Sequence, residues 1–79
     1  MSRAATFAVC IPTWQEIDKA FKDANYKYAY DIDPYNPKCD EIPEPVADYK
    51  WFVDVIPEYA DEARKILETF DTPIKFWVG

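Results

Sequence analysis

The sequence predicts one α+β domain: a four-stranded antiparallel sheet of order 4-1-3-2 with two helices on one of its faces. Three observations lead there. Residues 51–56 form an apolar run broken only by Asp54, and after Pro57 the apolar period changes from that of a strand to that of a helix. The same strand-then-helix pattern appears earlier, from Phe7 onward. Two further stretches, 26–32 and 73–78, alternate apolar and polar residues as edge strands do. The order is strand, helix, strand, strand, helix, strand. Two right-handed strand–helix–strand units interleave most simply in that sheet order.

In chain order, residues 1–5 are expected to be a loose terminus and 6–11 the first strand, apolar on both faces and therefore central. The first helix is expected over 13–24. Thr13 and Glu16 have the spacing of a capping box, in which hydroxyl and carboxylate satisfy amides that the first turn leaves unpaired. Trp14, Ile17, Phe21 and Ala24 make its buried stripe, Asp18 can pair with Lys22, and Asn25 suits a left-handed stop. The second strand, 26–32, places Tyr26, Tyr28, Tyr30 and Ile32 on its buried face. The third strand spans 50–56. Its inner residues are Trp51, Val53 and Val55, because the opposite choice would bury the Asp54 carboxylate without a partner. Pro57 has no N–H to continue the ladder and suits the start of the second helix, 58–70. Tyr59, Ala63, Ile66, Leu67 and Phe70 share one face of that helix, and Asp61 can engage Arg64 or Lys65 along its surface. The last strand, 73–78, points Ile74, Phe76 and Val78 inward and Lys75 and Trp77 outward. At an offset of 45, Phe7 matches Phe52, Ile11 matches Ile56 and Pro12 matches Pro57, an internal echo of the strand–helix unit.

Seventy-nine residues make a single domain. A chain this short buries only ~60–65% of its extended surface, so it depends on a well-filled core. Three Trp, six Tyr and five Phe supply large buried area per residue. No run is long enough to cross a membrane and no leader pattern is present, so a cytoplasmic protein is expected. The formal net charge of −6 argues against direct nucleic-acid binding or an anionic membrane surface, and it suits a basic partner. There is no histidine, and Gly79 is the only glycine, which excludes a glycine-rich phosphate loop. Cys10 and Cys39 cannot build a structural zinc site by themselves and read as a buried small residue and a loop thiol. Tyr28, Asp31, Cys39 and Asp54 are the only acid–base or nucleophile candidates, and none has an evident partner, so neither catalysis nor a cofactor is expected.

The element order and burial pattern resemble the ferredoxin-like fold across most of the chain. The phosphate-cradling loop of acylphosphatases has no counterpart between Ile11 and Trp14. The paired first-loop cysteines of metal-chaperone domains and the basic companions of RNA-recognition strands are also missing. The fold implies no particular activity.

Two features carry the functional expectation. The connection between strands two and three, 33–48, is far longer than a hairpin needs, and Pro34, Pro37, Pro43 and Pro45 stiffen it. Between residues 31 and 48, six acids face one base, Lys38, so most of the excess charge lies there. Asp40, Glu41, Glu44 and Asp48 are expected to form a docking surface with Tyr35 as apolar anchor. The second feature is the sheet face away from the helices, where Ala8, Cys10, Ala29, Phe52, Ile56 and Trp77 would form an apolar patch that a partner or a second copy could cover; the alternative is that the long connection folds back over it. A small acidic domain with no catalytic apparatus resembles, in composition, the inhibitors that bacteriophages and mobile elements make against host defence or transcription, anti-CRISPR-like or DNA-mimic-like. The expected function is a protein-binding inhibitor of a basic, nucleic-acid-handling partner. A regulatory or immunity adaptor, a small-ligand sensor and a small dimeric enzyme are the alternatives.

Overall fold

The computed structural model describes residues 4–36 and 48–78. The elements are β1 (Ala5–Val9), α1 (Trp14–Asp23), β2 (Tyr30–Pro34), β3 (Trp51–Val55), α2 (Ala60–Glu68) and β4 (Ile74–Val78), with a 3-10 turn, Pro57–Tyr59, leading into α2. All strand pairs are antiparallel and the sheet order is β2-β3-β1-β4. This is the ferredoxin-like layout expected from the sequence.

The register arranges the sheet as rows of four directly opposed residues, and opposed residues point to the same face. Three rows face the helices: Tyr30–Val55–Ala5–Val78, Ile32–Val53–Phe7–Phe76 and Pro34–Trp51–Val9–Ile74. Two face away: Asp31–Asp54–Thr6–Trp77 and Asp33–Phe52–Ala8–Lys75. Asp54 points away from the helices, as the cost of an unpaired buried carboxylate requires. The main core gathers Phe7, Val9, Ile11, Val53 and Val55 from the sheet side with Ile17 and Phe21 of α1 and Ala60, Ala63 and Leu67 of α2.

The buried positions of the two halves correspond at an offset of 46 rather than 45: Phe7 with Val53, Val9 with Val55, Ile17 with Ala63, Phe21 with Leu67. The one-residue difference decides a face, because successive strand residues alternate sides. Phe7 therefore lies under the helices while Phe52 lies on the opposite side of the sheet.

The caps follow local chemistry. Glu16 Oε2 accepts from the Thr13 amide at 3.2 Å and from the Thr13 hydroxyl at 2.8 Å. Asn25 takes φ 62° and closes α1, with the Tyr26 amide donating to the Phe21 carbonyl at 3.0 Å. Asp71, at φ 52°, makes the corresponding left-handed turn after α2. Trp14 departs from its expected place in the buried stripe. It is the first residue of α1 and stays 44% exposed, and Ala24 is exposed at the other end. Only the Ile17–Phe21 step reaches the sheet centre. Arg64, expected to engage Asp61 along the helix surface, spreads its guanidinium over the Phe76 ring at 4.7 Å.

β2 starts later than its alternation suggests. Residues 26–29 are outside the ladder, yet Tyr26 packs on the core. Its ring meets Phe21 edge-on at 4.9 Å, and Tyr28 stacks on Tyr59 at 3.6 Å with 6° between planes. Aromatic contacts, not strand pairing, hold this segment. Tyr30 then donates its hydroxyl to Asp18 Oδ1 at 2.5 Å, and the Lys22 ammonium lies 2.9 Å from Asp18 Oδ2.

These partners set a pH dependence. The Lys22 bond, then the Tyr30 bond, hold the Asp18 carboxyl below its ordinary value of 3.8. That stabilisation is present above the ordinary value and is lost as pH falls through the lowered one. Burial, then the bond to Asp18, pushes the Tyr30 hydroxyl up to about 12. Its contribution is full below the ordinary tyrosine value and is lost as pH rises toward the raised one. Burial, followed by Glu62, also raises Tyr26. In an alkaline titration followed by tyrosinate absorbance, Tyr26 and Tyr30 should ionise above the ordinary tyrosine value. Asp18→Asn should bring Tyr30 only part of the way back, because burial is the larger cause. An unchanged Tyr30 titration in that variant would show that the Asp18 bond contributes nothing.

Candidate functional site

The face away from the helices combines an aromatic floor with a band of carboxylates. The floor is a second, smaller core of Ala8, Tyr49 and Phe52, with Cys10, Tyr35 and Trp77 packed against it. Backbone pairing builds it. The Tyr35 amide donates to the Lys50 carbonyl at 3.0 Å and the Lys50 amide to the Val9 carbonyl at 2.8 Å, so both ends of the long connection are tied to the sheet. Tyr35 and Tyr49 are thereby brought over Phe52. The Tyr35 ring is 5.0 Å from Phe52 and 5.7 Å from Tyr49, and Trp77 meets Phe52 edge-on at 5.9 Å and 88°. Lys75, expected to point into solvent, is 9% exposed, with its ammonium 5.4 Å from the Tyr49 ring centre. A cation over an aromatic face keeps much of its stabilisation as water is removed.

The expectation of a bare apolar patch is therefore corrected. Ala8, Cys10, Phe52 and Trp77 do lie on this face, but Phe52 is only 7% exposed. Tyr35 is half-buried as part of the cover over Phe52 rather than projecting as a free anchor. Cys10 is a half-buried free thiol. Asp48 is exposed and lies 3.1 Å from the Lys50 ammonium. Asp40, Glu41 and Glu44, with Cys39, lie outside the described residues.

The carboxylate band comes from strand pairing. Asp31 and Asp33 of β2 point to this face, and Asp54 of β3 is directly opposite Asp31. Like charges directly opposed across a pair cost stability. The Thr6 hydroxyl donates to Asp54 Oδ1 at 2.6 Å and compensates part of this. Charge along the chain flags Asp31 and Asp33. Nothing local indicates that Asp54, 21 residues beyond Asp33, completes the group. Tyr49 and Lys75 were likewise missed as part of the floor, although the shared parity of Lys75 and Trp77 placed both on this side. The hollow beside Asp31 and Asp54 holds about 210 Å³. Small-molecule sites usually hold ~300–1,000 Å³, so this face offers a surface more than a pocket.

The class these features define is a single ferredoxin-like α+β domain with one helix-covered face and one acidic, aromatic-floored face. No family model matches the chain, and neither the curated proteins nor the solved structures contain a match to it. Among the described residues, no helix is long and apolar enough to cross a membrane. No group of three or more His, Cys, Asp or Glu among them is placed to hold a metal ion.

Proposed function

We propose that this chain is a small acidic protein-binding inhibitor that docks on a basic, nucleic-acid-handling partner, in the manner of the anti-defence or DNA-imitating proteins of phages and mobile elements. The observation that carries the reading is the convergence of Asp31, Asp33 and Asp54 on one sheet face. The base of an acidic arm adjoins that face, with Asp48 exposed at its return to the sheet. Carboxylates held together compete for the lysines and arginines that would otherwise hold phosphates, and their summed field speeds encounter. In this reading Tyr35 and Trp77 are half-buried rims that a partner touches, Phe52 supports them from beneath, and Asp40, Glu41 and Glu44 add negative charge to the docking surface. The four prolines of the arm reduce the entropy lost when it docks.

The test compares wild type, the triple change of Asp40, Glu41 and Glu44 to Asn or Gln, and Asp31→Asn. The triple variant should leave stability within about 0.5 kcal/mol, because charges in a proline-rich, strongly acidic connection add little to folding. Asp31→Asn should raise stability by ~0.2–1 kcal/mol by removing the repulsion across the strand pair. Against a basic partner captured from host extract, both should weaken binding and flatten its salt dependence. Equal affinities and equal salt slopes in all three proteins would remove the acidic surface from the interaction.

A further inference from the structure

β2 and β4 are the two edges of the sheet, and they are protected unequally. β2 ends in Pro34, which brings no amide to an incoming strand, and it carries the exposed Asp31 and Asp33. Proline and charge are the ordinary means of blunting an edge. β4, Ile-Lys-Phe-Trp-Val, has no proline and a single charge. That charge, Lys75, is drawn under the Tyr49 ring and does not guard the edge. Val78, by contrast, is 43% exposed. Among the described residues no strand pairs with the outer side of β4, and a strand of β-branched and aromatic residues with such an edge is a template for another strand.

We propose that the free edge of β4 pairs with β4 of a second copy, antiparallel about a twofold axis at Phe76, joining the two sheets into one of eight strands. The strand is chemically self-complementary about its centre. In that register Ile74 faces the second copy's Val78 and covers its exposed side chain. On one side of the joined sheet Lys75, its ammonium under the Tyr49 ring, is opposite the second copy's Trp77, so no exposed like charges meet across the pair. Phe76 meets its own copy on the other side, next to the α2 helices. This contact uses the sheet edge, not the acidic face, and does not rest on the inhibitor reading. One five-residue pair is short, so the dimer is weak and concentration-dependent. Each copy carries −6, so added salt strengthens it by screening repulsion, opposite to the salt effect on acidic docking.

The test is sedimentation of the full chain from micromolar to millimolar concentration at two salt levels, beside Val78→Lys. Wild type should pass from monomer to dimer, more readily at high salt, and Val78→Lys should weaken the dimer about tenfold or more by placing a charge opposite Ile74. A thermal melt checks that the variant folds. If it does not, amide hydrogen exchange on wild type decides: protection should rise with concentration along β4 and stay constant along β2. A chain that remains monomeric at millimolar concentration would overturn the proposal. So would a dimer indifferent to Val78→Lys with no added β4 protection, or a different protein pairing with β4 while this chain stays monomeric.

Discussion

Phe21→Ala should destabilise the domain by ~3–5 kcal/mol, the range for removing a fully buried phenylalanine from a packed core. Phe21 is 0% exposed and stands where α1, the sheet and the tyrosine segment meet. Its ring lies 4.9 Å from Tyr26 and 4.6 Å from Tyr30, and aromatic pairs add stabilisation beyond area alone. Alanine removes the contact that seats residues 26–29, which strand pairing does not hold. A domain of this length has roughly 4–12 kcal/mol in total, so the variant keeps a fraction of its stability or none. At ~4–8 °C per kcal/mol the melting temperature should drop by at least about 12 °C. Leu67→Ala, its counterpart on α2, should cost ~2–5 kcal/mol. Urea unfolding measures both, and a loss below about 1 kcal/mol at Phe21 would mean that the α1 face is not the one against the sheet.

Phe52→Ala should cost about 3 kcal/mol, at the low end of the same range because its cover of Tyr35, Tyr49 and Trp77 can settle partly into the space left. This substitution separates two roles. A docking residue on an open face would cost binding and spare the fold. A residue 7% exposed beneath three aromatic rings costs the fold first. Denaturant unfolding, followed by the summed emission of Trp14, Trp51 and Trp77, distinguishes them. A change below about 0.5 kcal/mol, typical of a surface position, would mean that the cover is not packed and Phe52 is free for a partner.

Much of this architecture is determined by local rules acting on particular residues. The change of period at Pro57 separates β3 from α2. Asn25 stops α1 because its side chain tolerates a positive φ. Ile17, Phe21, Ala63 and Leu67 are buried because their spacing puts them on single helix faces. The face of β3 follows from one electrostatic cost, that of burying Asp54. Tertiary structure alone decided the rest. The alternation over 26–32 extends through tyrosines that pack instead of pairing, because periodicity reports which side a residue takes and not whether a neighbouring strand is there. The internal echo is offset by 46 and not 45 because residue similarity is blind to pleat parity. Asp54 joins Asp31, Lys75 passes beneath Tyr49, and Tyr35 and Tyr49 close over Phe52 through contacts between residues 14 to 26 positions apart or through register across the sheet. Local pattern extends over a few residues. The register that makes an acidic, aromatic-floored face out of these side chains is set by pairing between distant strands, and only the folded sheet contains it.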